Sequence, residues 1–209
     1  MTGSGPLPVP LSVLRAAAHA AMPWKNGGGT TLEIARAPAG GDFDWRLSVA
    51  DVREDGPFSS FPGIERHILL VEGAGMRLVS ARCCIELAPD GPGAIFDGAE
   101  AFTGRLADGP VRDLNLMLRR GRASGSIERI RLDGLHAGAR AIEPGAALLF
   151  VCVLGGTAIA LADGHALLTL QRLDVLRLDA GDAPVRLEPG GGEPAAVALV
   201  RIREAGLRA

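Results

Sequence analysis

Several residue types that carry chemistry are rare in this 209-residue chain, which has no tyrosine, two tryptophans and four histidines. Lys25 is the only lysine, and Asn26 and Asn115 are the only asparagines. The formal net charge is −2 at pH 7, so the chain has no excess of basic residues to bind a phosphate backbone. Because few aromatic residues are available to stack on bases, we expect no nucleic-acid partner.

Cysteine and long apolar runs are also scarce. The three cysteines are Cys83, Cys84 and Cys152. An odd number, with two of them adjacent, does not indicate a disulfide framework. The apolar stretch over residues 11–22 is interrupted by Arg15 and His19, so it resembles neither a signal peptide nor a membrane span. We therefore expect a reduced, cytoplasmic protein without membrane contact.

The abundant signal is that of β-structure. Residues 42–52 and 111–119 alternate between apolar and polar side chains, a pattern typical of strands with one face in a core. Short strand signals separated by Gly and Pro turns continue through the chain, which favours a sandwich or barrel. One short helix is predicted over residues 13–21, with Ser12 as its N-cap and Pro23 after its end.

A weak internal repeat indicates how the strands are grouped. Residues 68–75 and 150–157 each contain an apolar strand followed by a glycine hairpin. Two copies of one such unit predict an all-β, double-stranded β-helix fold with two cupin-like barrels, a bicupin. We expect the first barrel in residues 1–120 and the second in residues 121–209.

Motifs for metal binding, phosphate binding and nucleophilic catalysis are missing. The histidines are His19, His67, His136 and His165, and none forms an H-x-H pair that would suit a metal site. The glycines at 27–29 lack the G-K-[ST] ending of a phosphate loop, and no G-x-S-x-G is present. We predict no metal and no cofactor, and we assign no catalytic residue.

Polar residues gather instead around the glycine stretch and on three predicted strands. The predicted ligand-binding residues are Lys25, Asn26, Glu33, Arg46, Ser48, Arg66, Asp113 and Asn115. Cations of this kind suit a small carboxylate, and amide and hydroxyl groups suit its orientation. The alternative is a set of internal salt bridges across the barrel. Both interpretations are compatible, because an arginine held by one aspartate keeps spare donors.

Four sequence windows stand out by their order and spacing. They are W-K-N-G-G-G-T-T-L-E-I at 24–34, W-R-L-S-V-A at 45–50, G-P-F-S-S-F-P-G-I-E-R at 56–66 and D-L-N-L-M at 113–117. Together they resemble the HutD/Ves family of bacterial proteins. Two positions depart from the family pattern, which usually has arginine in place of Leu32 and an aromatic residue in place of Leu114.

The resemblance implies a bicupin without the usual cupin metal ligands, associated with histidine utilisation. It implies binding of a small anionic metabolite, such as urocanate or a formyl or formimino amino acid, and a regulatory or accessory role. Within it, we expect Lys25, Arg46 and Arg66 to receive the carboxylate. Asn26, Ser48 and Asn115 would orient the ligand, while Glu33 and Asp113 would hold the cations.

Two other functions stay open. A small hydrolase or isomerase would act on such a metabolite through Glu33 or Asp113 as a general base. An interaction module would instead form a homodimer through its second barrel, leaving the apolar strand over residues 146–154 partly exposed in the monomer. We expect a binding protein rather than an enzyme. Turnover of a candidate metabolite and size-exclusion chromatography distinguish these alternatives.

Overall fold

The computed structural model of the protein describes residues 11–24, 27–133, 140–162 and 165–206, and these residues form an all-β structure. The strands are β1 Ser12–Leu14, β2 Ala20–Pro23, β3 Gly29–Ala37, β4 Trp45–Val52, β5 Gly56–Pro57, β6 Ile64–Glu72, β7 Met76–Val79, β8 Cys84–Leu87, β9 Ala94–Asp97, β10 Thr103–Leu106, β11 Val111–Arg119, β12 Ala123–Leu132, β13 Arg140–Ile142, β14 Leu148–Gly155, β15 Ala158–Ala162, β16 His165–Leu170, β17 Val175–Leu178, β18 Val185–Pro189 and β19 Ala195–Glu204. No helix in this described part of the chain has the length and apolar character needed to cross a bilayer.

The strands form four antiparallel sheets. Sheet 1 has the order β2-β3-β4-β11-β6-β9, and sheet 2 has the order β5-β10-β7-β8. Sheet 3 has the order β1-β17-β14-β19-β12, and sheet 4 has the order β13-β18-β15-β16. Sheets 1 and 2 therefore come from the first part of the chain, while sheets 3 and 4 come from the later part with β1 added at one edge.

The predicted N-terminal helix over residues 13–21 is wrong. Its place is taken by β1, a single 3-10 turn at Ala16–Ala18 and β2. None of the three alanines in the turn is buried, so a helix here would gain little from packing. The carboxylate of Asp174 accepts hydrogen bonds from Arg15 at 2.7 Å and from the backbone N–H of Ala16 at 2.9 Å. These contacts and two strand pairings override the helix propensity of alanine.

Three hydrophobic cores fill the spaces between the sheets. The first lies between sheets 1 and 2 and includes Ile68 and Leu78. The second lies between sheets 3 and 4 and includes Leu187. The third lies between sheets 1 and 3, where the rings of Trp45 and Phe150 are 5.6 Å apart. Sheet 1 therefore packs against the third core on its outer face, while its inner face contributes both to the first core and to a group of polar side chains.

Residues 146–154 bear on the interaction-module alternative, which requires this apolar run to be partly exposed in the monomer. That requirement is not met, because β14 is buried on both faces. Leu149, Val151 and Val153 pack into the second core. Phe150 and Cys152 pack into the third core. A homodimer stays a prediction, but it would not use this strand.

Candidate functional site

The inner face of sheet 1 opens into a cavity of about 420 Å³ beside the first core. Five of the predicted ligand-binding residues line this cavity, namely Arg46, Ser48, Arg66, Asp113 and Asn115. Glu33 contacts Arg46 but does not line the cavity. Lys25 and Asn26 lie outside the described residues. The cavity therefore brings together all but one of the predicted site residues that the structure describes.

Strand register explains why these residues converge. In sheet 1, β11 lies between β4 and β6, and Asn115 pairs with Ser48. Two residues further along β11, Met117 lies between Arg46 and Arg66. Adjacent strands are about 4.8 Å apart, so the two arginines start roughly 10 Å from each other across one strand. Alternation places Asp113, Asn115 and Met117 on the same inner face, as predicted.

Arg66 is enclosed by aromatic rings. Its guanidinium carbon lies 5.4 Å, 5.6 Å and 5.2 Å from the ring centroids of Phe58, Phe61 and Phe96. The Nη1 of Arg66 donates a long hydrogen bond of 3.4 Å to the carbonyl of Ser59. Its Nε is buried and has no acceptor among the described residues. Burial lowers the pKa of Arg66 to about 10, so it stays charged at neutral pH. The cage fixes the cation and leaves donors unused.

Asp113 is a buried carboxyl group without a partner. It is 1% exposed, and neither of its carboxylate oxygens accepts a hydrogen bond from any described residue. Burial raises its pKa to about 7, with Arg66 opposing and Asp51 adding to the shift. The Oδ1 of buried Asn115 also lacks a partner within the described part of the chain. Each such group costs about 1–3 kcal/mol unless something in the cavity bonds to it.

Arg46 belongs to an ion pair at the margin of the cavity. Its Nε lies 2.9 Å from Oε2 of Glu33, as an ion pair rather than a well-aligned hydrogen bond. Arg36 also lies near Glu33, at 3.9 Å. Burial lowers the pKa of Arg46, and Glu33 counteracts that effect. The predicted role of Glu33 in holding a cation therefore has a matching contact.

Residues around the glycine stretch form the side of the cavity at the β2–β3 edge of sheet 1. Trp24 lines the cavity, and its indole Nε1 donates a hydrogen bond of 2.9 Å to Oγ1 of Thr31. Gly29 lets this ring approach, because a Cβ there would lie 2.9 Å from the ring and 2.4 Å from the carbonyl oxygen of Asp51. Only glycine fits between the indole and β4.

The aromatic cage was not predicted. The spacing of Phe58 and Phe61, a few residues before Arg66, is a signal that could have suggested cation–π contacts. No local signal points to Phe96, which reaches Arg66 because β9 pairs with β6 in a register that places the two residues opposite each other. Long-range register is not readable from one sequence.

Both departures from the family pattern lie away from the cavity. Leu114 is fully buried in the third core, and Leu32 packs against the same core. Each pairs with Val49 across a strand, on the outer face of sheet 1. Neither residue lines the cavity. The side chains at these two positions therefore affect packing between sheets 1 and 3.

The donor set of the cavity suits an anion rather than a metal. Cupin-like barrels can hold a metal through histidine and carboxylate ligands. Within the described ranges, no group of three or more His, Cys, Asp or Glu residues is placed to hold a metal ion. The described cavity lining contains two guanidinium groups and a single carboxyl group. One carboxyl group is too few ligands for a metal ion, so this lining does not fit a metal centre.

Comparison with known proteins identifies the family. The model of the HutD family matches residues 16–194. The chain belongs to the HutD family. A Pseudomonas putida protein named for its position in the hutC 3′ region is 36% identical over 189 residues, covering 87% of this chain and 93% of the relative. Protein Ves of Citrobacter koseri is 37% identical over 106 residues, covering 50% of this chain and 56% of the relative.

Several solved structures are similar to this chain over most of its length. A conserved protein of Pseudomonas aeruginosa PAO1 is 33% identical with a TM-score of 0.80, covering 92% of this chain and 98% of that chain. HutD of Pseudomonas fluorescens SBW25 is 32% identical with a TM-score of 0.76, covering 94% and 100%. A cupin barrel protein of Leptotrichia buccalis has a TM-score of 0.54 at 10% identity, covering 83% and 88%, which shows a cupin-like fold.

Proposed function

We propose that this HutD-family protein binds a small carboxylate metabolite in the cavity of sheet 1 and has a regulatory or accessory role in histidine utilisation. The architecture that we propose for it is a bicupin. Sheets 1 and 2 would form one cupin-like barrel in residues 1–120, and sheets 3 and 4, apart from the edge strand β1, would form the other in residues 121–209.

The observation that carries the proposal is the caged guanidinium of Arg66. A buried cation needs a counter-charge, and burial of charge without one is costly. The cage supplies aromatic faces and one carbonyl, while Nε keeps its proton without an acceptor among the described residues. A carboxylate accepts two parallel N–H bonds from a guanidinium, and such charge-assisted bonds are among the strongest in proteins.

The remaining cavity residues would select and orient the ligand. Arg46 would add a second positive charge from the margin, partly offset by Glu33. Along the strands, Ser48 and Asn115 lie between the two arginines and Asp113. There, a hydroxyl and an amide can form hydrogen bonds with the middle of a small molecule. Lys25 and Asn26, from the glycine stretch, are proposed to complete the carboxylate site and its orientation.

The link to histidine utilisation rests on relatives. One is named for its position beside hutC, and the P. fluorescens structure is of HutD in a formate condition, formate being the smallest carboxylate. For this chain we propose a histidine-degradation intermediate such as urocanate or a formyl or formimino amino acid. The amount of this intermediate bound to the protein would then depend on the flux through the pathway.

A second candidate function is favoured by Asp113. Its pKa is raised to about 7 by burial, in the range that suits a general base at neutral pH. Glu33 fits that role less well, because it is already paired with Arg46 outside the cavity. A hydrolase or isomerase acting through Asp113 would convert the metabolite, and mass spectrometry of a long incubation with purified protein would detect the product.

A thermal-shift series tests the binding proposal. Wild-type protein is heated with formate, urocanate, formylglutamate and formiminoglutamate, and with sulfate and chloride as unrelated anions. A ligand at a hundred times its dissociation constant stabilises the native state by about 2.7 kcal/mol, which clearly raises the melting temperature. Arg66→Gln and Arg46→Gln should reduce this shift.

The matched control is Arg112→Gln. Arg112 is also partly buried on sheet 1 but pairs with Asp51 and Glu72 outside the cavity, so its replacement should leave the ligand shift unchanged. If Arg66→Gln does not fold, Arg46→Gln carries the test. No shift with any carboxylate, or an equal loss in the Arg112 variant, would refute carboxylate binding at this cavity.

A further inference from the structure

The cavity has acceptors at one end as well as donors at the other. Arg46 and Arg66 flank Met117, while Asp113 lies four residues earlier on β11, about 13 Å away along the strand. Asn115 lies between the two ends. The carboxylate oxygens of Asp113 and the Oδ1 of Asn115 have no hydrogen-bond donor among the described residues, although both residues are at least 96% buried.

A simple anion would satisfy only one end of this arrangement. An anion bound to Arg46 and Arg66 would leave the two carboxylate oxygens of Asp113 and the Oδ1 of Asn115 without a donor among the described residues. It would also add negative charge to a space that already holds a buried carboxyl group. Of the two arginines, Arg46 already has a counter-charge, because it is ion-paired with Glu33. Arg66 and Asp113 have opposite charges and influence each other's pKa, but among the described residues no hydrogen bond or ion pair joins them, so each keeps polar atoms for a ligand.

We propose that the ligand is two-ended, with a carboxylate that binds Arg66 and Arg46 and a positively charged N–H group, such as an amidinium, guanidinium or ammonium, that donates to Asp113 and to Oδ1 of Asn115. This inference rests on the proposed carboxylate function and specifies its ligand class. A zwitterion of this kind pairs both charges and fills every acceptor at the Asp113 end. Asp113 is then the residue that distinguishes it from a plain acid.

The proposal fixes the sign of a pH dependence. The charged groups that face or influence Asp113 from neighbouring elements are Arg66, Arg46 and Asp51, and Lys25 lies outside the described residues. Asp113 is mostly protonated below pH 7 and ionised above it, because burial raises its pKa to about 7. A cationic N–H group needs the ionised form, so its affinity rises with pH. A plain carboxylate prefers the protonated form, so its affinity falls.

Calorimetric titration between pH 5.5 and 8.5 measures both effects. The probes are 3-guanidinopropanoate and 4-guanidinobutanoate, whose charges are constant over this range, and the matched acids pentanoate and hexanoate. At pH 8 we expect the better guanidino acid to bind at least tenfold more tightly than its matched acid, because unpaired buried acceptors penalise the analogue that lacks donors. Below pH 7 its affinity should fall by close to tenfold per pH unit.

Two variants assign the effect to Asp113. Asp113→Asn keeps the shape and should remove both the preference for guanidino acids and the pH dependence. Glu72→Gln, at the end of the neighbouring β6 and outside the cavity lining, should leave both unchanged, because Glu72 pairs with Arg112 and Arg172 and does not shift the pKa of Asp113. A circular dichroism spectrum like that of the wild type establishes that each variant folds.

The outcomes separate this inference from the proposed function. If plain acids and formate bind as tightly as the guanidino acids, or if affinity for the guanidino acids falls with rising pH, the two-ended ligand is refuted and carboxylate binding stands. If neither kind of probe nor formate binds, the proposed function itself fails. A preference that persists in Asp113→Asn would also overturn the assignment.

Discussion

Asp113→Asn should stabilise the protein at alkaline pH and leave its stability almost unchanged near pH 4. The wild-type carboxyl group is raised from its ordinary pKa of 3.8 to about 7 by burial. Between these values the native state holds a proton that the unfolded state has released. Stability therefore decreases as pH rises through this window, and the full cost is present above pH 7. Asparagine has nearly the same shape and no charge, so the variant avoids this cost.

The size of the effect follows from the pKa difference. At 1.36 kcal/mol per pKa unit, raising the pKa from 3.8 to about 7 corresponds to at most roughly 4 kcal/mol. Burial of an ionised group that no described residue hydrogen-bonds is the physical source of the cost. The difference between variant and wild type should therefore grow from near zero at pH 4 to several kcal/mol at pH 8.

Urea unfolding at half-unit pH steps measures this difference. The free energy of unfolding is obtained for both proteins in the absence of carboxylates, with Glu72→Gln as the control for removal of a nearby acidic group. Glu72 is ion-paired with Arg112 and Arg172, so its loss should not stabilise the protein at high pH. Parallel stability curves for wild type and Asp113→Asn between pH 4 and 8 would refute the reasoning about the buried carboxyl group.

Three further predictions concern the frame of the site. Gly29→Ala should destabilise the protein by about 1–3 kcal/mol and change Trp24 fluorescence, because the new Cβ meets a carbonyl at 2.4 Å; an unchanged emission spectrum would contradict this. Phe150→Ala should cost about 3–5 kcal/mol in urea unfolding through the third core, and a loss below 1 kcal/mol would argue against that core. Asp174→Ala should destabilise by roughly 2 kcal/mol and speed hydrogen exchange in β1, with unchanged exchange as the contrary result.

Much of the fold was readable because polar and apolar residues alternate over the middle of the central strands. The alternation on β4 and β11 is confirmed, because one face of these strands meets the third core and the other meets the cavity and the first core. The continuous apolar run of β14 has a different cause. Its residues are apolar on both faces because both faces are buried, so the exposure that the interaction-module alternative required for residues 146–154 is not found.

The failures share a physical cause. The alanine-rich segment near the N-terminus has a local preference for helix, but Asp174, far along the chain, binds Arg15 and Ala16 and the flanking residues join sheets. Phe96 likewise reaches Arg66 only through the pairing of β9 with β6. Local propensity and spacing carry no information about such distant contacts, so the aromatic cage was missed while the polar residues it serves were found.

The placement of β1 at the edge of sheet 3 has a consequence for how the chain unfolds. The first described strand is hydrogen-bonded to β17, so the later sheets contain a piece of the early chain. Trypsin cleavage at exposed Arg120 or Arg122, in the turn between β11 and β12, would sever the backbone without separating the fragments. The two pieces should co-elute and melt in one cooperative transition, as a single folding unit that includes all four sheets.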